Sequence, residues 1–212
     1  MSGTFRLARV VRATMGRLLL CVYRVRFVGR EHIPSGGAII AGNHVSYLDP
    51  ILLWCGRTRP IHFMAKAQLF DMPVLKWLLP RFWALPVHQE SADRTAIAKA
   101  TELLEAGELV GIFPEGTRVR HGGADALGAA RGGVAFIAMR ADVPVVPVGI
   151  AGTELAWPKG QRLPRFPRVT INYRSPVYPG RFTEGGRKER VDGMTAEIMS
   201  QIAAAREAAR EA

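Results

Sequence analysis

A histidine and an aspartate stand five residues apart in the stretch NHVSYLDP, residues 43–50. An imidazole exchanges protons near neutral pH and a carboxylate can orient it, so the pair could do acid–base chemistry if the two side chains meet. On a continuous helix, five residues leave two side chains about 140° apart. His44 and Asp49 therefore meet only if His44 lies on a turn that enters a helix and Asp49 lies in the first turn of that helix.

The flanking residues predict such a junction. GGAIIAGN has the pattern of a short apolar strand followed by a turn, and SYLDPILLWC has helical spacing. Pro50 suits the first turn of a helix, where Ser46 or Asn43 would provide a cap. A second interpretation remains open, in which Asp49 only stabilises the helix dipole and His44 is an ordinary loop residue.

A second polar stretch, FPEGTRVR at residues 113–120, follows the predicted strand LVGIF. Ligands of α/β folds bind at the carboxyl ends of strands. Arg118 suits a bidentate contact with phosphate, and backbone N–H groups around Gly116 would add to an anion site. Glu115 and the Thr117 hydroxyl are the other polar groups offered there. The alternative is a surface turn with an ordinary Glu–Arg pair.

Strands alternate with helices along the chain, which predicts an α/β fold with a mostly parallel central sheet flanked by helices. The predicted strands are YRVRFVG, GGAIIA, IHFMAK, ELVGIF, PVVPVGIAG and RVTINYRSPV. The predicted helices after the His44 junction are SADRTAIAKATELLEAGE, which Ser91 would cap and Gly107 would end, RGGVAFIAMRADV, and the tail from Arg187. The proline-broken segment MPVLKWLLPRFWALPV favours a buried or lipid-facing element.

The first 30 residues contain seven arginines and no acid. At helical spacing, the apolar residues of this segment fall in one sector, and Arg6, Arg9, Arg12, Arg17 and Arg24 fall in the opposite one. This pattern is typical of a helix that lies in an anionic membrane interface, although a surface helix packed on the core is the alternative. We therefore expect an amphipathic membrane-associating helix at 1–24, an α/β domain at 25–185, and a C-terminal helix at 186–212 packed on that domain.

The composition narrows the choice of partners. A net charge of +11 over 212 residues favours anionic partners, such as an acidic membrane surface or phosphorylated substrates. Nucleic acid is not expected, because the basic residues are not interleaved with stacking aromatics. Two cysteines without a CxxC motif, and isolated histidines, predict neither a disulfide framework nor a metal site. The absence of GxGxxG and GxxxxGK[ST] motifs excludes dinucleotide-binding and P-loop interpretations.

Taken together, NHxSxxDP and the later FPEGTR resemble the motif pair of the 1-acylglycerol-3-phosphate acyltransferase family. Two shorter blocks agree with this resemblance, MAKAQLF at residues 64–70 and VPVVPVGIAGT at residues 143–153. The resemblance extends from about Val25 to Pro179. It implies a peripheral membrane enzyme on the cytoplasmic face of the cell membrane, with no cofactor.

The resemblance also implies a role for each matching residue. His44 would be the general base and Asp49 would orient it. The matching substrate-binding residues are Glu115, Gly116, Thr117, Arg118 and Lys66. The enzyme would move a fatty acyl group from acyl-CoA or acyl carrier protein to the hydroxyl of 1-acylglycerol-3-phosphate, a lysophospholipid, giving phosphatidic acid.

The sequence departs from the family pattern at one place. The family usually has an arginine near the end of the block that follows the apolar segment, where this chain has Gln89. Because of this departure, another acyl acceptor remains an alternative, namely another lysophospholipid, a glycolipid or an amino-lipid. Two further alternatives are a non-catalytic membrane-binding protein and a hydrolase, although the chain has no GxSxG motif.

Overall fold

The structure is a computed structural model that describes residues 14, 16–56, 59–88, 93–116, 132–156 and 165–212. Several residues that the sequence interpretation singled out lie outside these ranges: Arg6, Arg9, Arg12, Gln89, Ser91, Thr117 and Arg118. The expected N-terminal amphipathic helix is therefore described only in its last part, which includes Arg17.

A seven-stranded sheet forms the centre of the molecule, in the order β1-β7-β6-β2-β5-β3-β4. Its strands are β1 (Arg26–Val28), β2 (Ala38–Gly42), β3 (Ile61–Lys66), β4 (Leu85–Val87), β5 (Leu109–Ile112), β6 (Val145–Ala151) and β7 (Thr170–Tyr173). Every neighbouring pair is parallel except β6 with β7. The predicted α/β class with a mostly parallel sheet is confirmed.

Helices cover both faces of the sheet. They are α1 (Arg17–Val22), α2 (Leu48–Cys55), α3 (Pro73–Leu78), α4 (Arg94–Glu105), α5 (Gly133–Ala141) and α6 (Arg187–Glu211). The fully buried strand β2 shows how the faces divide, because alternate side chains of a strand point to opposite sides. Ile39 and Ala41 pack with α4, α5 and α6, whereas Ala38 and Ile40 belong to the core on the side of α1 and α2.

The helices on the first of these faces bury apolar side chains. The inward residues of α6 are Met194, Ile198, Ile202 and Ala205, all at most 1% exposed. One predicted cap is wrong: α4 is capped by Asp93, whose carboxylate accepts a 2.9 Å hydrogen bond from the Ala96 N–H, rather than by Ser91. Gly107 follows the end of the helix, with φ of 84°.

The second face leaves large hydrophobic side chains in solvent. Met72, Val74 and Trp77 are 51%, 72% and 55% exposed. Exposed apolar residues also belong to the neighbouring helices α1 and α2. We call this set the outer apolar face, and its members are Leu18, Val22, Tyr47, Ile51, Met72, Val74 and Trp77. Trp54 of α2 links it to the segment after α3, since its ring lies 4.5 Å from that of Phe82.

None of the helices in the described ranges combines the length and the apolar character needed to cross a bilayer. Basic side chains lie near residues of the outer apolar face. Lys76 and Arg17 are exposed, and the guanidinium of Arg81 lies 4.1 Å from the centre of the Trp77 ring. The segment MPVLKWLLPRFWALPV thus forms α3, a 3-10 turn and β4, and much of its apolar surface is exposed rather than buried.

Candidate active site

Three polar residues and one phenylalanine lie at the carboxyl ends of the three central parallel strands. Asn43 and His44 follow β2, Phe113 follows β5, and Thr153 follows β6 after a single glycine. Because β6, β2 and β5 are adjacent and parallel, these residues meet at one edge of the sheet. This edge is the candidate active site.

The His44 and Asp49 side chains meet in the way that the sequence predicted. Asp49 lies in the first turn of α2, and His44 precedes that helix on the turn that leaves β2. The Nδ1 atom of His44 lies 2.9 Å from Oδ2 of Asp49. The side chain of Asp49 is fully buried, whereas that of His44 is 17% exposed, which leaves the imidazole open to a bound molecule.

Hydrogen bonding around Asp49 fixes the tautomer of His44. Oδ2 of Asp49 also accepts hydrogen bonds from the N–H groups of Val45 and Ser46, at 2.8 and 2.7 Å. An ionised carboxylate only accepts hydrogen bonds, so Nδ1 of His44 bears the hydrogen and donates. The other ring nitrogen, Nε2, is then left with its lone pair, as a proton acceptor requires.

The other carboxylate oxygen of Asp49 has a partner from a distant part of the chain. Oδ1 accepts a 2.6 Å hydrogen bond from the hydroxyl of Thr153, which is 1% exposed. The carboxylate therefore receives donors on both oxygens, from its own junction and from the end of β6. In all, the buried carboxylate accepts four hydrogen bonds, which hold it in one orientation.

Asn43 joins β2 to β6 next to this pair. Its side-chain amide donates to the Ile150 carbonyl at 3.0 Å, and its side-chain oxygen accepts from the Ile150 N–H at 2.7 Å. Asn43 is 1% exposed, so these two bonds satisfy backbone groups that water does not reach. The amide thus extends the strand pairing by one residue and holds the turn that presents His44.

An aromatic ring defines the plane of the His44 imidazole. The Phe113 ring is stacked on it, with centroids 4.2 Å apart and planes inclined by 17°. Phe63 stacks in turn behind Phe113, at 5.8 Å and 12°. The imidazole is therefore restrained at Nδ1 by Asp49 and across its face by Phe113.

The structure describes three of the five predicted substrate-binding residues. Glu115 is buried, and Gly116 adopts a φ of 67° in a turn closed by a 3.0 Å hydrogen bond from its N–H to the Phe113 carbonyl. Lys66 is the last residue of β3 and its side chain is exposed. Glu115 and Gly116 therefore lie on the same turn as Phe113, while Thr117 and Arg118 lie outside the described residues.

Sequence reasoning missed part of this site. Neither predicted cap serves α2 in the expected way, because Asn43 bonds to β6 and helix α2 begins after Tyr47 without a side-chain cap. The Ser46 hydroxyl accepts only a 3.3 Å bond from the Leu48 N–H. The contact of Thr153 with Asp49 was not predicted either. A polar residue just after a buried strand was the available signal, because β6 ends at the same edge as β2.

Comparison with known proteins identifies the family of the chain. The chain matches the acyltransferase family model over residues 24–151, a range that includes His44, Asp49 and Glu115. The 1-acyl-sn-glycerol-3-phosphate acyltransferase of Bacillus subtilis is 31% identical over 180 residues, which are 84% of this chain and 86% of the relative. A chloroplastic enzyme of the same name from Arabidopsis thaliana is 31% identical over 143 residues, which are 65% of this chain and 39% of the relative.

A solved structure shares the fold. The crystal structure of the 1-acyl-sn-glycerophosphate acyltransferase from Thermotoga maritima superposes with a TM-score of 0.70 and 24% sequence identity, over 95% of this chain and 82% of the other. The match thus extends over nearly all of this chain. Given the family match over more than half of its length and this extended similarity to its relatives, the chain belongs to the acyltransferase family and is an enzyme of that kind.

Proposed function

We propose that the protein transfers a fatty acyl group from a thioester, acyl-CoA or acyl carrier protein, to the free hydroxyl of 1-acylglycerol-3-phosphate, and so produces phosphatidic acid. The 2.9 Å contact between the partly exposed His44 and the buried Asp49 is the single observation on which the proposal chiefly rests. The acceptor is taken from the names of relatives such as the Bacillus subtilis enzyme.

The proposed reaction uses His44 as a general base and then as a general acid. Nε2 takes the proton of the acceptor hydroxyl while its oxygen attacks the thioester carbonyl carbon. The tetrahedral intermediate collapses by breaking the carbon–sulfur bond, and the leaving thiolate receives the proton from the imidazolium. Asp49 holds Nδ1–H throughout and stabilises the imidazolium. No protein nucleophile is needed, because the acceptor oxygen forms the new ester bond directly.

The phosphate of the acceptor is assigned to the turn after β5. The chain that follows Gly116 continues into Thr117 and Arg118, and a guanidinium suits bidentate phosphate binding. Glu115 would shape this pocket from its buried position on the same turn. Lys66, at the carboxyl end of β3, would add positive charge. The net charge of +11 favours the same class of anionic substrate.

The outer apolar face would bring the enzyme to its lipid substrates as a peripheral protein on the cytoplasmic face of the membrane. Ile51 lies in the same helix as Asp49, and Tyr47 immediately precedes that helix, so the face reaches the candidate active site. Arg6, Arg9, Arg12 and Arg17 of the N-terminal segment would contact anionic headgroups. Membrane lipids and the lysophospholipid acceptor are thus the proposed partners.

The test of this function is an acyl-transfer assay with purified protein and lysophosphatidic acid, using acyl-CoA and acyl carrier protein as donors in separate reactions. We expect acceptor-dependent release of free thiol and equal formation of phosphatidic acid. His44→Ala should reduce turnover by about 10³-fold or more, because the base is lost. Exposed His88→Ala is the matched control and should retain full activity.

Two results would contradict the proposal. A His44→Ala protein with normal turnover would remove the proposed mechanism. Turnover driven by a different lysophospholipid, a glycolipid or an amino-lipid, but not by lysophosphatidic acid, would keep the chemistry and replace the acceptor. That outcome would give a function to Gln89, which replaces the arginine usual at that position.

A further inference from the structure

Thr153 lies outside the His44 junction, yet its side chain is hydrogen-bonded to the carboxylate of Asp49. Its hydroxyl lies 2.6 Å from Oδ1 of Asp49, and the two residues are separated by 104 positions in sequence. Both are buried, at 1% and 0% exposure. Water therefore does not compete for this hydrogen bond, which links the end of β6 to the first turn of α2.

The local backbone holds Thr153 in this position. Gly152 ends β6 with φ of 97°, and a Cβ atom at that position would lie 2.2 Å from the Arg168 carbonyl oxygen. Only glycine allows the chain to turn there without displacing the neighbouring backbone. The turn continues in a short 3-10 helix, Thr153–Leu155, in which the Ala156 N–H donates to the Thr153 carbonyl at 3.2 Å.

The two carboxylate oxygens of Asp49 accept hydrogen bonds from different parts of the chain. Oδ2 accepts all three N–H donors of the junction, including Nδ1–H of His44, while Oδ1 faces the Thr153 hydroxyl. Rotation of the carboxylate about its Cβ–Cγ bond would break bonds on both sides at once. The hydroxyl must be the donor, because an ionised carboxylate only accepts.

We infer that Thr153 is a positioning residue of the acyltransferase reaction, which acts through Asp49 by fixing the carboxylate plane that orients the His44 imidazole. The inference rests on the proposed role of His44 as general base. It adds a third residue to the pair, supplied by a different strand of the sheet. Thr153 itself touches neither substrate nor the reacting atoms in this scheme.

The test compares Thr153→Val, which keeps the shape and removes the hydroxyl, with Thr153→Ser, which keeps the hydroxyl. Thr153→Val removes a hydrogen bond to a charged group. We expect this loss to lower kcat by about 10- to 100-fold. KM for both substrates should stay within about twofold, because Thr153 contacts neither substrate and the substitution removes no contact with them. Thr153→Ser should restore most of kcat.

The matched control is Thr101→Val. Thr101 is also a buried threonine, but its hydroxyl donates to the Ile97 carbonyl at 2.9 Å inside α4, on the opposite face of the sheet from α2. The Thr101→Val substitution should leave kcat unchanged. If Thr153→Val fails to fold, Thr153→Ala takes its place, and the same difference in kcat from Thr153→Ser is expected.

A second measurement does not depend on turnover. In histidine-labelled protein, the Nδ1–H resonance of His44, assigned by its loss in His44→Ala, should move or broaden in Thr153→Val and persist in Thr153→Ser. The inference is overturned if Thr153→Val retains wild-type kcat and an unchanged His44 resonance, or if the valine and serine variants lose kcat equally. Normal activity of His44→Ala in the same assay would instead overturn the proposed function.

Discussion

The candidate active site and the outer apolar face are built on opposite physical rules. At the edge, Asn43, Asp49 and Thr153 are almost completely buried and hydrogen-bonded at 2.6–3.0 Å. On the face, Met72, Val74 and Trp77 are more than half exposed. The edge relies on directional contacts, in which one missing atom changes the geometry. The face depends on the hydrophobic effect, which is non-directional and whose free energy grows with the apolar area that each residue contributes.

This contrast predicts different responses to mutation. Changes at the edge should have large effects that depend on the exact chemical group, because a buried polar atom without its partner is costly. Changes on the outer apolar face should have small effects that depend only on the area removed. If the two regions are independent, mutations at the edge should change turnover and mutations on the face should change vesicle binding.

The largest effect is expected for Asp49→Asn. The neutral amide is a weaker acceptor for Nδ1–H of His44 than the carboxylate. Its NH₂ group can also turn toward the ring and donate to Nδ1, so the imidazole loses its tautomer. We expect kcat to fall by about 10³- to 10⁴-fold in the acyl-transfer assay, with little change in vesicle binding. Asp71→Asn, at an exposed position, is the control. Parallel loss of vesicle binding would show that edge and face are not independent.

The next effect concerns stability. Asn43→Ala removes both bonds to Ile150 and leaves a buried N–H and carbonyl without partners, which should lower the free energy of unfolding by about 2–4 kcal/mol. Chemical denaturation followed by circular dichroism measures this quantity. Ser35→Ala, at an exposed position before β2, should change it little. A loss as small as that of Ser35→Ala would mean that the edge is less rigid than its hydrogen bonds indicate.

A smaller effect is expected on the outer apolar face. Trp77→Ala should weaken partition onto vesicles with anionic lipid by about tenfold, since roughly half of a large apolar side chain loses its contact with lipid. Sedimentation with lipid vesicles measures the partition, and turnover of a water-dispersed substrate should be unchanged. Tyr178→Ala is the control, because Tyr178 is 50% exposed on the side of α5 and α6. Equal losses in both variants would show that the outer apolar face is not the docking surface.

The smallest effect lies at the opposite edge of the sheet. Burial lowers the pKa of His62, near the start of β3, and the nearby Glu108 offsets only part of this shift. The unfolded chain therefore binds the proton more readily, so the contribution of His62 to stability is complete above pH 6.5 and is lost as pH falls below it. His62→Gln should lose less stability than the wild type between pH 7.5 and pH 5.5. Exposed His88→Gln, measured by the same thermal unfolding, should behave as the wild type does.

Local patterns were sufficient for most of the elements and for the first contact of the site, but β4 (Leu85–Val87), at the end of the proline-broken segment, was not predicted. IHFMAK is bounded as the sequence predicted, and the helix geometry that the His44–Asp49 spacing required is the geometry found. The cap of α4 was predicted at the wrong residue, because Ser91 and Asp93 both satisfy the local rule. Periodicity also could not decide whether the segment around Trp77 is buried or exposed, since an apolar run fits either environment.

The contacts of Thr153 and Phe113 could not be predicted for a different reason. They depend on the order of strands in the sheet, which sets residues from β5 and β6 beside a junction that follows β2. Short-range spacing holds no information on that order. The pair that forms within six residues of chain was therefore accessible from sequence, and the partners that complete it were not.

The strand order has a further consequence, for how the protein folds. Strand β2 is central, yet its two neighbours are β5 and β6, which come much later in the chain. Closing such long loops costs entropy before any pairing is gained, so folding should be slow compared with that of a protein rich in local contacts. Until β5 and β6 arrive, the apolar strand AIIAG exposes both edges and is liable to aggregate. The arrangement that brings the residues of the candidate active site together from distant strands thus also leaves an apolar strand unpaired until late in folding.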